Sequence, residues 1–307
     1  MSAGVLLVGS GRRGADWSAL VRARRDCRLV GAVDPDPRAR AAAEQAGLPA
    51  WERLDDALGA ADADFAIVAT PPDLHAQQAV SCLRAGLGVL VEKPLALSLD
   101  DAASVADAAE ATGLPALVAH NFRHRPLENT IRAALDAGTI GRLRFAAAVS
   151  ARPPRDVPFE HLPLWDRGVH HVDLLRQRFG GTPETVEGHC TSSLEGTTYS
   201  LQLGWRHGGG AEYVLRESGV VYHKAEWLEG PKGALRVTDG KVSLITPTSR
   251  PKRLRVRRAP AAESVLLDAL LRRDASALGA RESLGTSATI EAAVRSFSAE
   301  RPAEVVA

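Results

Sequence analysis

Lysine is scarce in this chain: it occurs at Lys93, Lys224, Lys232, Lys241 and Lys252, against 38 lysines and arginines together. Such arginine-heavy usage suggests a GC-rich genome, and it makes a lysine in an unusual place worth notice. Cysteine is nearly absent too. Cys27, Cys82 and Cys190 are scattered, odd in number and without a CxxC pair, which argues against a disulfide framework or a zinc site and suits a reducing compartment. Net charge is almost nil at +1, so no global field draws the chain to nucleic acid or an anionic membrane. No apolar run approaches the roughly 20 residues that a membrane helix needs. The short run Val5–Val8 carries its charges, Arg12 and Arg13, after the apolar stretch, whereas a signal peptide carries them before it. A cytoplasmic chain with no metal is the expectation.

With 307 residues, 45% hydrophobic and 24% charged, the sequence has the composition of a globular protein and the length for two domains. Its rhythm changes near residue 120. Before that point, short apolar runs (Gly4–Val8, Arg28–Val33, Phe65–Ala69, Gly88–Val91, Ala116–Ala119) alternate with helix-spaced, alanine-rich segments (Ala15–Arg24, Pro37–Ala46, Leu54–Ala60, His75–Ala85, Leu99–Ala111). Strand–helix alternation with nearly continuous apolar strands predicts a parallel sheet covered on both faces, a doubly wound Rossmann domain over 1–120. Beyond it the pattern predicts helices over Leu127–Ala137 and Trp165–Phe179, and a strand over Arg142–Ser150. Short strands between Gly, Pro and Asp turns then run from Thr185 to Arg258, and helices over Ser264–Arg272 and Ser283–Ser298 close the chain. The fold class expected is α/β, with an α+β domain over 121–307 built on a largely antiparallel open sheet.

Gly9-Ser10-Gly11-Arg12-Arg13-Gly14 is a GxGxxG directly after a strand and opening a helix, the context in which that pattern is informative. Gly9 permits the tight turn, Gly11 lets backbone N–H groups approach a pyrophosphate, and Gly14 lets helix and strand pack closely. The helix N-terminus adds positive potential. Asp34 ends the second strand, twenty residues past Gly14. A carboxylate there accepts hydrogen bonds from an adenosine ribose and repels a 2′-phosphate. NAD is therefore favoured, while Arg12 and Arg13, either a solvated pair or phosphate ligands, leave NADP open.

Glu92-Lys93-Pro94 follows the strand Gly88–Val91 at the carboxyl edge, where doubly wound sheets bind ligands. The proline suits a constrained backbone there, a cis bond being one form. Asn121 and Arg123 follow the strand Ala116–Ala119 at the same edge. Farther on, Asp166 and His170 stand four residues apart and share a helix face with Asp173, while His171 points about 100° away. A carboxylate one turn from an imidazole orients it and raises its pKa, which suits the ring to remove a hydroxyl proton as hydride leaves carbon. A lysine ammonium can bind that same oxygen and stabilise alkoxide charge. Structural alternatives stand beside this reading: Asp166 as a helix cap, His170 as a hydrogen-bonded histidine at a domain junction, and Asp173 as a buttress of His170 or a nearby backbone group, with substrate contact equally open for Asp173.

The glycine turn, Ala69-Thr70-Pro71-Pro72 with His75, Glu92-Lys93-Pro94, Asn121-Phe122-Arg123 and Asp166-Arg167-Gly168-Val169-His170-His171-Val172-Asp173 together resemble the family of glucose–fructose oxidoreductase and inositol dehydrogenase. Order and spacing match across most of the chain, and EKP combined with DxGxHxxD is specific. The resemblance implies that Lys93 and His170 are the catalytic lysine and histidine, and that Asp166 is a catalytic or substrate-binding aspartate. It places Thr70, Pro71, His75, Glu92 and Lys93 against the cofactor. Asn121 and Arg123 become candidate substrate contacts, with an ion pair between domains as the other reading of Arg123 and a solvent-facing helix start as the other reading of His75. The loop Ala151–Pro163, with Arg152, Arg155, Glu160 and His161, is either a pocket rim or a solvated charged loop. The implied reaction is hydride transfer between NAD(P) and a secondary alcohol or ketone of a sugar, sugar derivative or cyclitol. The alternatives are reduction of an imine or another unsaturated bond, and a regulator that binds NAD(P) without turnover. Small-molecule substrates, no nucleic acid or membrane partner, and a homodimer or homotetramer covering an open sheet face complete the expectation.

Overall fold

The computed structural model describes residues 2–153, 163–193, 196–206, 208–218, 223–274, 278–299 and 301–306. Arg155, Glu160 and His161 of the arginine-rich loop lie outside them. The chain forms two compact units, 1–121 with 261–284 and 122–260 with 285–307. Each is described in turn.

The first unit carries a sheet in the order β3(Ala50–Trp51), β2(Cys27–Val33), β1(Ala3–Val8), β4(Phe65–Val68), β5(Gly88–Val91), β6(Ala116–Val118). Every pairing is parallel. Helices α1(Arg12–Arg22), α2(Pro37–Gln45), α3(Leu54–Leu58), α4(His75–Arg84) and α5(Leu99–Thr112) connect the strands, giving the doubly wound topology the alternation predicts. Alternate strand residues enter two cores. Leu6, Val8, Ala66, Val68, Val89 and Val91 pack with Ala79, Leu83 and Val105 of α4 and α5. Val5, Leu7, Ile67, Leu90 and Leu117 pack with Trp17 and Val21 of α1.

That second core also contains Leu266, Leu267 and Leu270, which lie on a helix far along the chain (α8, below). The sequence placed residues 261–284 with the second domain, but they pack with the first. The physical reason is coverage. On this face α1 shields only part of the sheet, and three fully buried leucines complete it at about 1.5–3 kcal/mol apiece of apolar burial.

The second unit contains α6(Pro126–Asp136), β7(Phe145–Arg152), α7(Val169–Phe179), β8(Thr185–Ser193), β9(Gly196–Trp205), β10(Gly209–Ser218), β11(His223–Gly230), β12(Gly233–Thr238), β13(Lys241–Thr246) and β14(Ser249–Leu254). The chain then supplies α8(Ala262–Leu271) to the first unit, runs through α9(Ala280–Ala299), whose residues from Gly285 belong to the second, and ends in β15(Ala303–Glu304). The sheet order is β14-β13-β12-β11-β7-β10-β9-β8-β15. Only β7 and β10 pair in parallel; all other neighbours are antiparallel. One face is buried, with Ala146, Ala148, Leu201, Leu203, Tyr213, Leu215 and Leu228 turned inward. Val149, Gln202, Glu212 and Arg236 alternate to the exposed face, as expected of an antiparallel sheet covered on one side. No helix among the described residues is long and apolar enough to cross a membrane.

The expected helix Trp165–Phe179 is divided. Leu164–Gly168 winds as a π-helical turn, and α7 continues from Val169. Apolar periodicity is blind to that distinction, since a single wide turn shifts the pattern by less than one residue.

Candidate functional site

In the first unit the three glycines of the turn have different physical reasons. Gly9 has φ +90, and a Cβ there would stand 2.8 Å from the Thr70 backbone nitrogen. At Gly14 a Cβ would meet the Gly9 carbonyl oxygen at 2.0 Å. The protein itself therefore demands glycine at both. Around Gly11 no atom of the described residues other than its chain neighbours lies within 4 Å of where a Cβ would be, so the bare backbone there is open to a ligand. Gly11 is also the N-cap of α1, with no side-chain cap on the helix, leaving N–H groups for an anion.

A cleft of ≈ 750 Å³ opens at this turn, walled by Gly9, Gly11, Arg12, Arg13, Asp34, Arg53, Thr70 and Pro71, among others. The Asp34 carboxylate accepts hydrogen bonds from the Ser10 N–H (2.7 Å) and the Asp36 N–H (2.9 Å), tying the end of β2 to the glycine turn. An open backbone cradle, a helix N-terminus and a carboxylate at the end of β2 fit a dinucleotide: phosphates against Gly11, a ribose against Asp34.

Arg13 and Glu92 are engaged with each other. The Arg13 Nε donates to Glu92 Oε1 at 2.8 Å, and the same oxygen accepts from Trp17 Nε1 at 2.8 Å. Arg13 also pairs with Asp16 at 2.9 Å and Glu263 at 3.4 Å. Burial works against its charge, and Glu92 more than restores it, so the guanidinium is held above its ordinary pKa. Asn121 donates from Nδ2 to Glu263 at 3.0 Å. The cluster braces α1, the end of β5 and the start of α8. Arg13 and Glu92 thus hold each other within the fold, beside the cofactor contact expected of them, and Asn121 spends an amide N–H on Glu263. Trp17 and Glu263 gave no sequence signal, because their partners are 75 and 142 residues away.

His75 does not face solvent. It is 1% exposed, and its ring nitrogens lie 2.7 Å from the Pro94 carbonyl and 2.9 Å from the Thr70 carbonyl. The ring bridges the Thr70-Pro71-Pro72 loop and the Glu92-Lys93-Pro94 loop. Burial holds its pKa below the ordinary histidine value. Thr70 donates its hydroxyl to Gln78 at 2.6 Å. The Lys93–Pro94 bond is cis, and Lys93 is half-buried.

In the second unit the motif residues separate by role. Asp173 is 1% exposed and accepts from Arg123 Nε (2.8 Å) and Nη2 (2.5 Å), with the Thr286 hydroxyl at 3.4 Å. This bidentate pair fastens α7 to the segment that carries Arg123. Arg123 is 4% exposed and pairs with Asp173 inside its own unit. The buried guanidinium requires a carboxylate partner, and Asp173 provides it. His171 stacks on Tyr213 with centroids 4.7 Å apart. His170 stacks instead on Phe122 at 3.8 Å with planes 6° apart. Asp166, half-buried, stands one turn before it on the π-helical segment. A second buried cluster, missed in the sequence, joins Arg178 to Glu128 and Glu226, with Lys224 on Glu226 at 2.7 Å. Burial alone would raise the Glu226 pKa, yet Arg178 and then Lys224 hold it far below the carboxylate range.

Two family models match this chain: "Oxidoreductase family, NAD-binding Rossmann fold" over residues 3–120, and "GFO/IDH/MocA C-terminal domain" over 129–241. The chain belongs to the Gfo/Idh/MocA family of oxidoreductases. Among curated members it is 29% identical over 185 residues to an inositol 2-dehydrogenase of Rhizobium meliloti, an alignment covering 59% of this chain and 56% of that protein. It is 34% identical over 162 residues to a D-apiose dehydrogenase of Paraburkholderia graminis, covering 50% and 43%. The matches thus span about half the length of these family members. Among solved structures, an aldose-aldose oxidoreductase from Caulobacter crescentus superposes with a TM-score of 0.86 over 99% of this chain and 100% of that one, at 20% identity. An oxidoreductase from Agrobacterium radiobacter in complex with NAD+, L-tartaric acid and magnesium gives 0.85, at 99% of both chains and 19% identity. At these identities the structural likeness is one of fold.

Proposed function

We propose that this family member is an NAD-dependent dehydrogenase acting on a secondary alcohol, or in reverse its ketone, of a sugar, sugar derivative or cyclitol. The observation that carries the cofactor half is the Gly11 cradle beside Asp34: the protein leaves open the one backbone position that a pyrophosphate approaches. The two named relatives, acting on inositol and apiose, support the substrate class. A bound nicotinamide supplies the hydride acceptor or donor. The chain supplies the rest: Gly11 and the α1 N-terminus for phosphates, Asp34 for ribose, and Thr70 and Pro71 as cleft wall. His170, oriented by Asp166 and by the Phe122 ring, takes the hydroxyl proton, and the Lys93 ammonium holds the oxygen and steadies its developing charge.

Preference for NAD over NADP follows from Asp34, opposed by Arg12 and Arg53 in the same wall. Asp34→Asn keeps an oxygen for the Ser10 N–H and removes the charge. It should move the ratio of kcat/KM values toward NADP by about tenfold, the order expected of one charge-assisted contact. An unchanged ratio would remove Asp34 from cofactor choice. The exposed sheet face around Val149, 39% exposed, leads us to propose a homodimer or homotetramer covering it. Light scattering should return at least twice the 32.6 kDa chain mass; a monomer at micromolar concentration would refute the assembly. A cytoplasmic location is proposed with it.

A further inference from the structure

Helix α4 divides its residues between the core and the cleft. Ala76, Ala79, Cys82 and Leu83 pack in the core of the first unit, whereas Gln77, Gln78 and Ser81, on a neighbouring face, line the cleft at the glycine turn. Gln78 has a partner that fixes its direction. Its Oε1 stands 2.6 Å from the Thr70 Oγ1. That separation suits O–H···O geometry and is short for N–H···O, so the hydroxyl donates and the carboxamide oxygen accepts. Thr70 is held elsewhere too. A Cβ on Gly9 would lie 2.8 Å from the Thr70 Cγ2, so the methyl closes against the glycine turn, and the Thr70 carbonyl lies 2.9 Å from the His75 ring. A β-branched side chain has few χ1 choices, and these contacts select one.

A hydroxyl carries one hydrogen and two lone pairs. With its hydrogen on Gln78, Thr70 has only lone pairs left for a ligand in the cleft that it lines. We propose that Gln78 is a positioning residue for the cofactor: by accepting the Thr70 hydrogen bond it makes the Thr70 Oγ1 an acceptor, and the group received there is a ribose hydroxyl of the dinucleotide. The proposal rests on the reading of this cleft as a dinucleotide site and deepens it. A dinucleotide offers two chemistries along its length: phosphate oxygens that only accept, and ribose hydroxyls that also donate. The N–H groups at Gly11 and the α1 N-terminus suit the first. Asp34 and a Thr70 so oriented suit the second. A phosphate placed at Thr70 would set lone pairs against lone pairs, so the wall fixes where along the cleft each part of the dinucleotide lies. Gln78 belongs to no motif in the sequence, and its partner stands eight residues before it.

The test is isothermal titration of the intact chain with NAD⁺ and with its monodeoxy analogues, each lacking one ribose hydroxyl. The quantity read is the affinity ratio of analogue to NAD⁺ within each variant, so that a general loss of affinity cancels. Thr70→Val keeps the shape and removes the hydroxyl. Gln78→Met keeps the length and removes the acceptor, and Gln78→Glu keeps an acceptor. In the wild type the analogue that lacks the hydroxyl at Thr70 should bind about three- to tenfold more weakly than NAD⁺, the effect of one neutral hydrogen bond. That difference should vanish in Thr70→Val, drop by about half or more in Gln78→Met, and stay within about twofold of its wild-type value in Gln78→Glu. A bond that only ties the Thr70 loop to α4 would weaken every ligand alike and leave all ratios unchanged. Ratios in Thr70→Val or in Gln78→Met that all match the wild type would therefore overturn the proposal. Wild-type protein that binds no NAD⁺ would instead remove the dinucleotide reading, and the proposal with it.

Discussion

Replacing His170 with glutamine should lower kcat by about 10²–10⁴-fold, the usual contribution of a positioned general base, while leaving NADH affinity within a few-fold. Lys93→Met should behave alike, because the ammonium is assigned to the reacting oxygen rather than to the dinucleotide. The reason to expect losses in kcat rather than in KM is that both groups interact most strongly when charge develops. A hydroxyl proton begins to leave only as hydride departs, and an alkoxide attracts an ammonium far more than an alcohol does. The structure adds a control. His171, next in sequence, stacks on Tyr213 and meets Phe122 edge-on at 6.2 Å, so His171→Gln should affect stability more than turnover. Full turnover in His170→Gln or Lys93→Met, measured in single-turnover reactions with saturating substrate, would remove that residue from the chemistry. A regulator that binds NAD(P) without turnover would show no such loss in either variant, because there would be no rate to lose.

The second large effect distinguishes two glycines of one motif. Gly11→Val should reduce NADH affinity by at least 100-fold and leave the unfolding midpoint almost unchanged, because its Cβ enters space that, among the described residues, only its chain neighbours approach within 4 Å. Gly14→Val should instead destabilise the fold by several kcal/mol, because even its Cβ would lie 2.0 Å from the Gly9 carbonyl oxygen. Isothermal titration with NADH beside urea denaturation separates the two. Equal stability losses would mean that Gly11 is also a packing glycine, and retained NADH binding in Gly11→Val would place the pyrophosphate elsewhere.

What the sequence made legible is local. The glycine turn, the strand carrying Glu92-Lys93-Pro94 and the Asp166–His170 spacing each lie within a few residues, where helix and strand periods fix relative direction. The two-sided parallel sheet followed because its strands are short and apolar throughout, and such strands need cover on both faces. Long-range partners were hidden. Nothing near Glu92 announces that Trp17 and Arg13 will share its carboxylate, and nothing near Arg123 announces Asp173. A charge taken out of water must find a partner, and these have one inside the protein, beside any ligand contact that the motifs imply. Residues 261–284 went to the wrong unit for a related reason. An apolar helix such as α8 states that it needs a surface but not which one.

The protein is proposed to be an oxidoreductase that uses NAD on a sugar- or cyclitol-type alcohol. Absorbance at 340 nm tests it directly, with purified protein and NAD⁺ across cyclitols, aldoses, uronic acids and aminosugars, and with NADH and the corresponding ketones in reverse. A substrate-dependent rise or fall that disappears in Lys93→Met and His170→Gln is the predicted result. No change with any compound in either direction, from protein shown to bind NADH, would contradict it.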